Sequence, residues 1–329
     1  GCGDCSVQSN CLSVEPLETP FGRERRINQS SCNKDFSCLD GFCPSFVTVS
    51  GAQRRKPKPA GLDIEALKKD LPAPDLPDLA TPFDLLVTGV GGTGVVTVGA
   101  LITMAAHLEG RGASVLDFTG FAQKFGTVLS YIRLAGRPDQ LNQVRIDTRG
   151  ADAVIGCDIV VSSAAKASQH YRAGTAMVLN RAEMPTGDLV LRRDADLRAN
   201  DREQVIAHAI GPQNLTAFDA NAAAEALLGD AVFANVMMLG AAWQNGMVPV
   251  SDMALQQAIL LNGVQTEQNR AAFSLGRVLA AQPEKLAHSL VPENNMGDTP
   301  QQATERRAEF LTEYQNAAYA SRYRHSLSG

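Results

Sequence analysis

Apolar and polar positions change their pattern several times along the chain. Residues 1–50 alternate cysteine with Asn, Asp, Ser and Gly and hold no sustained helical or strand period. Residues 51–82 carry Arg54-Arg55-Lys56 and then Pro57, Pro59, Pro72, Pro74, Pro77 and Pro82, the composition of a linker draped over a surface. At residue 83 the text turns apolar. A short run over 83–87 is followed by Gly89-Val90-Gly91-Gly92-Thr93-Gly94, and residues 95–108 resume an apolar pattern of helical length, which predicts strand, glycine turn and helix. Residues 85–106 are uncharged and long enough to raise a membrane span. Their glycines at 89, 91, 92, 94 and 99, with several threonines, fit a buried strand, turn and helix instead. Further strands are predicted at 113–116, 128–134, 159–162, 176–180 and 189–191, interleaved with Ala-rich helical stretches. Such alternation predicts an α/β domain with a mostly parallel sheet flanked by helices. Helices are expected at 221–228, 231–245, 251–263 and 264–281, and a polar, helix-prone segment at 300–324.

The resulting domain expectation is a cysteine segment at 1–50, the linker at 51–82, an α/β domain at 83–282 and a helical connector at 283–329. With 329 residues, 44% hydrophobic and 20% charged, the chain has room for one full core plus a smaller unit. A net charge of -5 argues against a general nucleic-acid binder, because phosphate recognition needs a basic face. The chain opens on Gly1 with a cysteine motif starting at the next residue, so it is expected to be an internal piece of something longer, and a membrane location is not expected.

Cysteine usage sharpens the picture. Six of seven cysteines lie before residue 44, spaced Cys2-x2-Cys5-x5-Cys11 and Cys32-x5-Cys38-x4-Cys43-Pro44. A long cysteine-poor body attached to a cysteine cluster reads as a metal-holding intracellular protein rather than a secreted disulfide scaffold. Thiolates suit both iron–sulfur clusters and zinc, a [4Fe–4S] cube taking four. The terminal Cys-Pro is a habit of bacterial ferredoxin motifs and favours the cluster, with a closed tetrahedral zinc site as the alternative. Six thiolates do not fill two cubes. Cys157, beside an apolar run, reads as a small core residue.

A glycine loop between strand and helix lets backbone amides approach an anion, and the helix amino end adds a favourable field. Gly89, Gly91, Gly92, Thr93 and Gly94 are therefore candidate cofactor-binding positions. Lys124, Ser130 and Arg133 are expected to join them near the carboxyl edge of the sheet, where open α/β sheets bind ligands. A dinucleotide reading wants an acidic residue after the second strand, and Asp117 is the nearest. This leaves a nicotinamide-dependent dehydrogenase with a structural metal, or a zinc-bearing interaction module, as alternatives. The glycine turn could also do no more than pack helix on strand. The five histidines show no metal spacing.

The residues also carry a family resemblance. Gly1-Cys2-Gly3-Asp4-Cys5-Ser6-Val7-Gln8-Ser9-Asn10-Cys11, Ser31-Cys32-Asn33-Lys34-Asp35-Phe36-Ser37-Cys38 and Gly41-Phe42-Cys43-Pro44-Ser45-Phe46 resemble the iron–sulfur region of the fused indolepyruvate ferredoxin oxidoreductases. Thr88-Gly89-Val90-Gly91-Gly92-Thr93-Gly94-Val95, Thr119-Gly120-Phe121-Ala122-Gln123-Lys124, Gly156-Cys157-Asp158 and Asn235-Val236-Met237-Met238-Leu239-Gly240 resemble the gamma domain of the 2-oxoacid:ferredoxin oxidoreductases. The resemblance implies oxidative decarboxylation of an aryl 2-oxoacid to its acyl-coenzyme A, with electrons leaving singly through [4Fe–4S] clusters to ferredoxin. It implies Cys2, Cys5, Cys11, Cys32, Cys38 and Cys43 as cluster ligands, and a gamma domain that helps hold coenzyme A. Thiamine diphosphate and Mg are expected on other domains of the same enzyme, since the Gly-Asp-Gly motif with paired asparagines is not found here and Asn294-Asn295 lacks its upstream partner. A cytoplasmic homo-oligomer, inactive as this fragment alone, completes the expectation. The family pattern has a further cysteine just ahead of the position of Gly1.

Overall fold

The computed structural model describes residues 2–11, 13–19, 22–29, 31–43, 46–47, 49–51, 61–119, 126–184, 196–290 and 299–327. It divides into two compact units, Gly1–Leu290 and Val291–Gly329.

In the first unit, a short helix α1 (Asp4–Ser9) precedes an antiparallel hairpin of β1 (Val14–Thr19) and β2 (Gly22–Ile27). The sequence shows no period there because Pro16 and a run of charged residues occupy the strands. The linker holds a short helix α2 (Ile64–Lys68), capped by Asp63. Leu62, Leu67, Leu71 and Leu76 pack on the main core, and Leu79 belongs to it. The draped segment is fixed by its leucines, which sit between the prolines.

The main sheet is built on β3 (Phe83–Val90), buried from Asp84 onward. Leu85 and Val87 enter the core on one face and Leu86 the core on the other, so the apolar run is uninterrupted because both faces are covered. Then come α3 (Val95–Leu108), β4 (Gly112–Thr119), β5 (Thr127–Ala135) and β6 (Ala153–Gly156). Next are α4 (Ile159–Ser163), α5 (Ala165–Ser168), β7 (Ala176–Asn180), α6 (Ala199–Ile210), β8 (Leu215–Phe218) and α7 (Ala220–Leu228). A helical block follows: α8 (Ala234–Gln244), α9 (Asp252–Asn262), α10 (Thr266–Ala281) and α11 (Ala287–Leu290). The strand order is β4-β5-β3-β6-β7-β8. β5 is antiparallel to both neighbours, and the remaining pairings are parallel. Every strand of this sheet but β5 therefore runs the same way, which is the mostly parallel α/β sheet expected.

One strand expectation shifts. Residues 159–162 form α4 rather than a strand, because Asp158 caps that helix by accepting hydrogen bonds from the amides of Val160 and Val161. The strand lies just before it, at β6. The four-residue β8 is too short to show a period, and the expected strand at 189–191 lies outside the described residues.

α8 and α10 cross with their backbones touching. A Cβ on Gly240 would collide with the Phe273 carbonyl and one on Gly276 with that of Met237, so only glycine permits this approach. Trp243 of α8 donates its indole N–H to the Val250 carbonyl at 2.8 Å and lies under the Arg277 guanidinium. The second unit consists of α12 (Pro300–Tyr314) and α13 (Ala317–Leu327), broken at Gln315 and Asn316 and tied by an Arg324–Glu305 ion pair. Among the described residues, no helix is long and apolar enough to cross a membrane.

Candidate functional site

The chain leaves β3 into α3, whose Val98, Leu101 and Ile102 pack in one core. It leaves the neighbouring parallel strand β6 into α4, whose Ile159 and Val161 pack in the other. Adjacent strands thus send their helices to opposite faces, and a crevice opens between their carboxyl ends. This is the topological position where open α/β sheets bind ligands.

A cavity of about 440 Å³ fills that crevice, within the usual range for small-molecule sites. Its floor is the glycine loop, Gly91 to Gly94, with Cys157 and Asp158 beside it. Gly92 and Gly94 hold φ of 85° and 96°, a backbone region that glycine enters without penalty. The Gly91 amide donates to the Gly126 carbonyl at 2.7 Å, and Thr93 Oγ1 donates to the Val90 carbonyl at 2.8 Å. From α8, Asn235 Nδ2 donates to the Thr93 carbonyl at 2.7 Å, so a buried amide on a separate helix clamps the loop. The opposite wall comes from the cysteine segment, through Asn28, Ser31, Cys32 and Asn33.

Asp158 is 1% exposed. Its Oδ1 takes the two α4 amides at 2.8 and 3.0 Å, and its buried Oδ2 has no hydrogen-bond partner among the described residues. Burial pushes its carboxyl up to about 6, although the Val161 and Val160 amides and Arg202 oppose this. Cys157 is equally enclosed. Burial, aided by the neighbouring Asp158 charge, raises its thiol far above the ordinary range, and its carbonyl accepts from Asn180 Nδ2 at 3.0 Å.

The predicted binding residues separate into groups. Gly91, Gly92, Thr93 and Gly94 line the cavity. Gly89 lies behind it, where a Cβ would stand 2.6 Å from Val95 Cγ2 and 2.9 Å from Cys157 Cβ; its bareness lets helix pack on strand. Ser130 and Arg133 are not brought to the loop. Because β5 runs antiparallel, Arg133 pairs in register with Asp84 at the opposite end of β3, and its Nε holds Asp84 Oδ1 at 2.5 Å. Ser130, fully buried, gives its hydroxyl to Asp117, so the acid expected to read a ribose is engaged away from the loop. Lys124 lies outside the described residues. Sequence reasoning assigned no role to Asp158 or Asn235. The available signal was Asp158 directly before an apolar helix, an N-cap pattern.

The six early cysteines gather around α1 and the 3-10 turn Ser37–Asp40. Gly41 approaches so closely that a Cβ there would stand 2.7 Å from Cys5 Cα, and the Phe42 amide donates to Asp4 Oδ2 at 2.8 Å. Burial raises the Cys5 thiol, and the nearby sulfurs of Cys43 and Cys2 add to it. Cys38 is raised by burial and then by Cys11, with smaller contributions from Cys32 and Cys5. Thiolates are soft donors of the kind that hold iron–sulfur clusters and zinc. Among the described residues, no three metal-ligating side chains stand in coordinating geometry.

The fold is that of an α/β domain with a crevice at the carboxyl edge of its sheet, and comparison places it. The chain belongs to the pyruvate ferredoxin/flavodoxin oxidoreductase family, whose model matches residues 84–279. The indolepyruvate oxidoreductase subunit IorB of Thermococcus kodakarensis is 24% identical over 196 residues, covering 59% of this chain and 94% of that one. Its Pyrococcus horikoshii counterpart is 25% identical over 197 residues, with the same coverage. Among solved structures, the gamma subunit of a keto/oxoacid ferredoxin oxidoreductase from Geobacter sulfurreducens aligns with TM-score 0.43 and 23% identity, over 60% of this chain and 98% of that chain. Pyruvate oxidoreductase subunit PORC from Thermotoga maritima gives TM-score 0.44 and 15% identity, over 60% and 96%.

Proposed function

We propose that this chain is the iron–sulfur segment and gamma domain of an indolepyruvate-type 2-oxoacid:ferredoxin oxidoreductase, which converts an aryl 2-oxoacid to its acyl-coenzyme A and delivers the electrons to ferredoxin. The observation that carries the reading is the gathering of Cys2, Cys5, Cys11, Cys32, Cys38 and Cys43 within one segment beside a domain of this family. The IorB relatives support the aryl substrate.

In this reading the six thiolates hold [4Fe–4S] iron, which when bound accepts and releases single electrons. The chain's own residues hold the segment in place. Asp4 fixes the Phe42 amide next to Cys43, and Gly41 lets the turn that carries Cys38 close on α1. The loop from Gly91 to Gly94, with the amino end of α3, offers a seat for a phosphate group. Thiamine diphosphate and Mg belong to other domains of the same enzyme.

Anaerobic reconstitution with iron and sulfide tests this. The expected product is brown, with broad absorption near roughly 400 nm that bleaches on reduction. Colourless protein that binds stoichiometric zinc, and neither iron nor acid-labile sulfide, would overturn it in favour of the interaction module.

A further inference from the structure

Far from the crevice, the main sheet ends in a strand paired on one side only. β4 is eight residues long and has β5 as its single neighbour among the described strands. That pairing is unbroken over eight residue pairs, so no bulge bends the edge away. Among the described residues, no backbone hydrogen bond from any segment but β5 reaches residues 113–119. Folded proteins blunt such an edge with lysine, proline or a bulge, because its open N–H and C=O groups are a template for another strand. Gly112–Thr119 contains no Lys, Arg or Pro. Its one charged residue, Asp117, is occupied by the Ser130 hydroxyl, while Val115 and Phe118 stay 40% and 38% exposed.

The helix above this edge has the same character. α3 packs across β4 and β5, and a Cβ on its Gly99 would meet Val115 Cγ2 at 3.4 Å. The flank of α3 that turns outward past Gly99 carries Val96, Ala100 and Thr103, and the helix contains no Asp, Glu, Lys or Arg. We propose that β4 is the interface for a second copy of this chain, whose own β4 pairs with it antiparallel about a two-fold axis and continues the sheet from one copy into the other. Strands paired in this way lie about 4.8 Å apart. The two α3 helices, each straddling its own β4 and β5, then come to about 10 Å, an ordinary helix-packing distance. Ala100 and Thr103 are small enough for that approach. Residues opposed across an antiparallel pair share a face of the sheet, so a register centred on Val115 sets Asp117 opposite Ala113 and not opposite its own copy. A contact about 25 Å long and about 20 Å deep, sheet plus helix layer, buries on the order of 1,000 Å² over both copies, the threshold of a specific association. β4 and α3 alone carry this interface, which is independent of the crevice and of the metal content of the cysteine segment.

Sedimentation velocity of the full 329-residue chain over a dilution series tests it, with hydrogen exchange read on peptides covering residues 112–119. A dimer is expected above about 10 µM, within the range that interfaces of this size reach. The outward-facing amides of β4 should exchange slowly in the dimer and several-fold faster once dilution separates the copies. Ala100→Glu and Phe118→Glu change exposed positions, the second beside Lys166, and each should weaken the dimer by about tenfold or more, a step worth about 1.4 kcal/mol. A chain that is monomeric throughout overturns the proposal and leaves the edge to a strand of another protein. So does a dimer whose β4 amides exchange as fast as in the monomer, or a folded Ala100→Glu chain that dimerises as the parent does. Should that variant fail to fold, Phe118→Glu and the exchange comparison on the parent chain decide.

Discussion

At the scale of single residues, Asp158 links stability to pH in a direction opposite to most acids. Its carboxyl titrates at about 6 when folded, against about 3.9 in an unfolded chain. The folded state therefore holds the proton more tightly. The associated stability is fully present below about pH 4 and is lost as pH rises through 6, by an amount on the order of 3 kcal/mol. Asp158→Asn removes that dependence. Its melting temperature relative to the parent should rise between pH 5 and 7.5, and a difference that stays flat would contradict the burial argument. Asn235 makes a second test. Replacing it with Ala leaves the Thr93 carbonyl without its 2.7 Å donor and should cost about 1–2 kcal/mol, read by denaturant unfolding, with faster hydrogen exchange at the loop amides. Residue types in the glycine loop could be read directly from sequence. Partners could not: Arg133 and Ser130 were assigned to the ligand edge because nothing local reveals that β5 runs backwards, and a strand's direction is fixed by its neighbours rather than its own pattern.

At the scale of elements, long periodic segments were legible and short or capped ones were not. The glycine turn and its strand and helix, the strand at Ala176–Asn180 and the helical block from Ala220 onward match the apolar pattern. The apolar stretch at Ile159–Ser163 did not declare its type, since four or five apolar residues fit either state and the Asp158 cap decided the outcome. The α8–α10 crossing was invisible for another reason. Gly240 and Gly276 read as weak points in two helices, whereas they are where two backbones meet. Either change, Gly240→Ala or Gly276→Ala, should destabilise the chain by about 3 kcal/mol or more, because backbone rather than a flexible side chain must yield. Gly61→Ala, with nothing within 4 Å of the added carbon, should stay within about 0.5 kcal/mol. Equal melting points for the three variants would refute the crossing geometry.

At the scale of the whole molecule, the cysteine segment and the α/β sheet share one cavity, with Cys32 and Asn33 on one side and the glycine loop on the other. Neither the segment nor the loop alone announces that crevice. The fold class was legible because alternation of strand and helix is a property of the entire sequence, while the site is assembled from residues as distant as Cys32, Asp158 and Asn235. Cys157, sealed at the end of β6 with its thiol pushed far up, gives the molecule an internal clock for its own opening. Thiolate is the reactive form, so iodoacetamide added to the folded, metal-free protein should leave this sulfur untouched while marking exposed Cys2. Alkylation of Cys157 should begin only when denaturant separates the sheet from its helices, and intact mass followed over time would then report global unfolding from a position native to the chain.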